Sequence, residues 1–140
     1  MGGFYQATTG TMPVVGALYG VSHVGVGWIT HLFHSIIFGL LFAAGCRVVD
    51  IERYIASVSQ AALVGLGWGV VLWFVAAGFV MPAWLLAIGE PATLPTLDLG
   101  GLIAHSLWGV TLGVSDSLLG HSSALERFTD RLAGSVIDPQ

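Results

Sequence analysis

The stretch SVSQAALVGLGWGVVLWFVAAGFVM, residues 57–81, decides the fold class. It carries no charged residue from end to end. At 1.5 Å per residue, a helix of this length crosses a hydrocarbon core of about 30 Å. A membrane strand would alternate apolar and polar residues, and glycine, tryptophan and phenylalanine replace that alternation here. Backbone N–H and C=O groups in lipid must find partners within their own segment, which leaves a helix. Pro82 follows directly and is expected to stop it.

The rest of the chain reads the same way. Its 140 residues are 55% hydrophobic and 9% charged, with mean hydropathy +0.85. Soluble domains carry about 25% charged residues, so a water-soluble fold lacks the polar surface it would need. Arg47 is the only charge between Met1 and Val48, and residues 99–115 have none. Helices are expected over about 3–20, 27–46, 57–81 and 99–119, forming an all-α membrane bundle over residues 1–120. The first helix is expected to be short or kinked, because it holds Gln6, Thr8, Thr9, Gly10, Thr11 and Pro13. Ser123 and Glu126 make a capping box. Leu125, Phe128, Leu132 and Val136 share one face, so residues 121–140 are expected to form a cytoplasmic amphipathic tail.

Arginine sets the expected orientation. Arg47, Arg53, Arg127 and Arg131 flank the spans, whereas the 82–98 loop holds only Glu90 and Asp98. By the positive-inside rule, the 47–53 loop and the C-terminus face the cytoplasm and the 82–98 loop lies outside.

The chain also repeats itself. Met12-Pro13 is followed by Gly20, His34-Ser35 and Gly39; Met81-Pro82 is followed by Gly89, His105-Ser106 and Gly109. Both glycines come seven residues after their proline, and the histidines come 21 and 23 residues after it. The expected architecture is two parallel repeats of a helical hairpin. The second repeat has a full span before its Met-Pro and the first does not, so the native start is expected upstream of Met1. An intact mass equal to that of these 140 residues would contradict this.

YQATTGTMPVVGALYG (5–20), GWITHLFHSIIFGLLFA (27–43), GVVLWFVAAGFVMPAWLLAIG (69–89) and LIAHSLWGVTLG (102–113) resemble a family of small, uncharacterised multi-pass membrane proteins of archaea and bacteria. The resemblance covers most of residues 5–119. It implies four helices in two similar halves, with a Met-Pro break after the first helix of each half. This chain departs from that pattern at the front of the first helix. The resemblance implies a fold and leaves activity open.

Small residues recur every four positions: Gly27, His31, Ser35, Gly39 and Ala43; Ser57, Ala61, Gly65 and Gly69; Gly101, His105, Gly109 and Gly113. Residues four apart share a helix face, and small faces let membrane helices pack closely. His31 and His105 are therefore expected in packing seams. The His-Ser pairs align His34 with His105, but the seams align Ser35 with it; a π-bulge in the second span would reconcile the two registers.

Two uses of the histidines follow. In one they are neutral and hydrogen-bond across helices, to Ser35, Ser106, Thr30 or Thr111. The protein is then a structural or accessory component that self-associates or serves a membrane complex, with no cofactor. In the other, His34 and His105, with His31 as a further candidate, ligate haem b or a transition metal as an electron carrier. His23 could add a ligand, and His121 is expected in solvent. A proton relay through His31 and His34 is a weaker third reading. Four arginines and no lysine argue against a nucleic-acid partner. The single cysteine, Cys46, excludes an internal disulfide or a thiolate cluster. No paired carboxylates, nucleophile elbow, phosphate loop or HExxH motif points to catalysis, and no catalytic residue is assigned. Asp98 and Asp116 read as interfacial anchors.

Overall fold

A computed structural model describes residues 8–49, 55 and 57–120. Within them the chain is all α, with a short helix α1 (Met12–Ala17) and a long α2 (Val24–Val48). A second long helix is built from α3 (Val58–Leu72), a π-helical segment (Trp73–Val80) and α4 (Met81–Ala87), and is followed by α5 (Leu99–Gly120). Three spans are long and apolar enough to cross a bilayer: Val24–Val48, Val58–Ala87 and Leu99–Leu119. Large apolar side chains cover their outer surfaces, Ile29 being 71% exposed and Leu63 66%. Hydrocarbon accepts such a surface and water does not. The protein is a multi-pass membrane protein. The expected tail at 121–140 and the loop residues 50–54, with Arg53, lie outside the described residues.

The helix starts follow from local chemistry. Ser57 caps α3, its hydroxyl accepting the Gln60 N–H at 3.3 Å. Asp98 caps α5, its carboxylate accepting the Gly101 N–H at 2.6 Å. α2 begins at Val24, earlier than expected, because His23 acts as a cap: its Nδ1 accepts the Gly25 N–H at 3.1 Å.

Pro82 does not end the second crossing. Helix continues for 30 residues to Ala87. Proline removes one N–H, so the carbonyl four residues earlier, that of Gly78, loses its usual donor. Two adjustments absorb this. The chain winds wider before the proline, the Met81 N–H reaching back five residues to the Ala76 carbonyl. The Gly78 carbonyl accepts the Thr96 N–H from the following loop at 2.9 Å. Gly78 is buried, and a side chain there would run into Leu97. The Trp73 indole holds the same loop by donating to the Asp98 carbonyl at 3.0 Å. α2, by contrast, is α-helical throughout, so the π turn lies in the other crossing from the one expected.

α3 and α5 cross with their backbones in contact. A Cβ added to Gly65 would overlap the Gly109 carbonyl; one on Gly69 would overlap the His105 carbonyl; one on Gly113 would overlap the Ala61 carbonyl. Gly27 meets the Met12 carbonyl in the same way and seats α1 against α2. At Gly101 the nearest atoms are those of its own Asp98 cap. Gly39 makes only an ordinary contact, 3.7 Å from Leu112.

Gly109→Ala is expected to lower the unfolding free energy of the α3–α5 pair by about 1–3 kcal/mol, since backbone opposes the new methyl. Gly67→Ala, with open space around it, is expected to be neutral or slightly stabilising. Unfolding of both variants in lipid bicelles checks the contrast.

Candidate functional site

α2 meets the remaining helices at a few points and leaves a gap between them. Gly27 touches α1 near one end, and near the other the Phe42 ring lies 6.3 Å from that of Trp68 on α3. Between these points is a cavity of about 420 Å³. α2 contributes His31, His34, Ser35 and Phe38 to its wall. Leu72, Ala76, Ala77 and Val80 come from the end of α3 and the π segment, Met81 and Trp84 from α4, and Ala104, His105 and Trp108 from α5. Val15, Leu18 and Tyr19, in and after α1, complete it. The Trp84 indole donates to the Leu18 carbonyl at 2.9 Å and ties α4 to the turn after α1. The wider winding of the π segment presents the small side chains of Ala76 and Ala77 to this space.

The three sequence-predicted histidines, His31, His34 and His105, all line this one cavity. They differ in what their ring nitrogens are doing. His105 Nδ1 lies 2.8 Å from the Gly101 carbonyl of its own helix. A carbonyl can only accept, so Nδ1 holds the proton and Nε2 keeps a lone pair. His34 Nε2 shares a hydrogen bond with the Tyr19 hydroxyl at 3.2 Å, the two rings stacked 6.0 Å apart. Phe33 and Phe38 flank the same imidazole at 5.9 and 6.2 Å. The His31 ring meets Trp28 edge-on at 6.3 Å.

Two of the cross-helix partners anticipated from the sequence, Ser35 and Thr111, bond locally instead. Ser35 Oγ donates to the His31 carbonyl and Thr111 Oγ1 to the Leu107 carbonyl, both at 2.8 Å and both within one helix. In lipid the carbonyl one turn back is always within reach, whereas a partner on another helix must be positioned by packing. His23 is exposed and its Nδ1 is committed to capping, so it is no additional cavity ligand. His121 lies outside the described residues. Among the described residues, no group of three or more His, Cys, Asp or Glu side chains could hold a metal ion. Ser35 lines the cavity, and the remaining small residues, Gly27, Gly39, Gly65, Gly69, Gly101, Gly109 and Gly113, do not.

Tyr19, Trp84 and the π segment were not legible as site residues. Trp84 could have been suspected as one of the few polar-tipped side chains near a span end. Tyr19 carried no signal, because its role depends on a turn bringing it back over α2.

No family model matches the chain, nor does any curated protein or solved structure. The resemblance drawn from the sequence therefore stands only at the level of a helical, multi-span membrane protein.

The assigned tautomer is directly measurable. In ¹⁵N spectra of the protein in neutral lipid, His105 Nδ1 is expected to behave as a protonated nitrogen and Nε2 as an unprotonated one; the reverse assignment would contradict the Gly101 bond.

Proposed function

We propose that this is a small integral membrane protein of structural or accessory type, which acts by associating with copies of itself or with subunits of a membrane complex. The observation that carries this reading is the placement of Gly45 and Gly67. Both are helical, exposed and without a neighbour within 4 Å of where a Cβ would sit. Glycine inside a helix costs about 1 kcal/mol relative to alanine, and nothing among the described residues needs it at either position. In membranes such outward small residues permit another helix to approach closely. α2 adds to the case: of its 25 residues only Gly27, Thr30, Phe42 and Cys46 are buried.

The duplicated plan belongs to the same proposal. Pro13 and Pro82 each lie in the first turn of a short helix, and Gly20 and Gly89 each take a left-handed φ, +77° and +85°. Two parallel hairpin units, with the 47–53 loop and the C-terminus cytoplasmic and the 82–98 loop external, account for these correspondences and for the arginines.

A second reading, a bis-histidine carrier of haem b or a transition metal, is favoured by the shared cavity and the free Nε2 of His105. It ranks second because, among the described residues, no arginine or lysine lines the cavity to meet haem propionates.

In vesicles, fluorophore-labelled copies are expected to show energy transfer that falls on lipid dilution, and Gly45→Leu with Gly67→Leu is expected to weaken it at least fivefold. A 14.6 kDa monomer at every protein-to-lipid ratio would overturn the reading.

A further inference from the structure

The cavity at the histidines has a chemistry narrow enough to select a ligand. Among the described residues that line it, none is Arg, Lys, Asp or Glu. A charged group entering it would lose hydration and find no counter-ion among those residues, so carboxylates, phosphates and ammonium ions are disfavoured. The wall is otherwise aliphatic and aromatic, with Phe38, Trp84 and Trp108 among its rings. A neutral, flat, apolar ring suits such a wall.

Of the polar groups in the wall, the one whose protonation the backbone fixes sets the requirement. Nδ1 of His105 is bound to Gly101, so its Nε2 is an acceptor and stays one while the imidazole is neutral. His34 Nε2 and the Tyr19 hydroxyl share one hydrogen bond, whereas no described residue fixes which ring nitrogen of His31 donates. A ligand that donates a hydrogen bond gains from His105 Nε2, and one with only acceptors leaves two lone pairs opposed at that nitrogen. Val80 and Trp84, 59% and 54% exposed, stand on the rim and leave a way in for a ligand from the membrane.

We infer that the cavity binds a neutral membrane-soluble compound with a hydroxyl on an aromatic ring, a phenol or quinol head group, whose hydroxyl donates to His105 Nε2. This goes beyond the association reading and does not depend on it; it competes with the haem reading for the same space.

The test uses the full chain in phosphatidylcholine nanodiscs, with decylubiquinol and decylubiquinone as probes, the quinol being held reduced under nitrogen. Equilibrium binding is expected to favour the quinol by about tenfold. His105→Phe is expected to abolish the preference while leaving some binding of both forms. Ala76→Phe, which fills the cavity from the π segment without altering a histidine, is expected to abolish binding of both. Should Ala76→Phe fail to fold, the quinol-to-quinone ratio in wild type and His105→Phe decides alone. Equal affinities in the wild type, a preference that survives in His105→Phe, decanoate bound as tightly as the quinol, or no binding at all would overturn the inference. So would a Soret band in the purified protein that is lost in His105→Ala, which would assign the cavity to haem. Loss of self-association with quinol binding intact would overturn only the accessory reading.

Discussion

Hydrocarbon offers no hydrogen bonds, so every backbone group within the bilayer must be satisfied by the protein itself. Pro82 brings that constraint to one point in this chain. Its missing N–H would leave a carbonyl orphaned inside a long crossing, and the fold responds by bringing the Thr96 N–H onto Gly78. That single bond fastens the 88–98 connection to the crossing that precedes it. With Trp73 held on the Asp98 carbonyl, it also fixes where α5 begins. α5 then descends along α3 in a register that places Gly65 and Gly69 against Gly109 and the His105 carbonyl.

The cavity is a consequence of that arrangement. α3 and α5 approach so closely that little space remains between them, whereas α2 stands off. Its contacts through Gly27 and Phe42 hold it near the hairpin without closing the middle. The π segment contributes alanines to the facing wall, and the Trp84–Leu18 bond ties α4 to the turn after α1 beside the space. Imidazoles in such a setting are neither bare to lipid nor tied across helices. Each is held by something nearby: His105 by its own helix, His34 by Tyr19, His31 by the edge of Trp28. On His105 the available lone pair follows directly from backbone geometry, because its other ring nitrogen is held by the Gly101 carbonyl.

Much of the architecture was legible in advance because it rests on local chemistry. Length and lack of charge identify a span wherever the chain runs, as residues 57–81 do. The repeat marked Gly20 and Gly89 by spacing alone; the structure gives each a left-handed φ after its Met-Pro helix, as a glycine that ends a helix takes. One expectation failed for the opposite reason. Pro82 was expected to terminate its helix, since its usual effect assumes no outside donor; Thr96, fourteen residues on, supplies one. At Gly101 the nearest atoms are those of the Asp98 cap, since spacing shows which residues share a face and not what that face meets.

The sequence by itself determined that this is an all-helical membrane protein with three strong crossings and a short first helix, because hydropathy over twenty residues outweighs any other term in lipid. It also singled out His31, His34 and His105 as polar groups in apolar surroundings. Tertiary structure alone decided that the three imidazoles border one space, that Tyr19 engages His34, and that the π turn falls in the second long crossing. Those outcomes depend on which helix faces touch. Among apolar faces of similar composition the choice is made by shape, by where backbones can approach and where a stray carbonyl must be met, and shape is a property of the assembled helices.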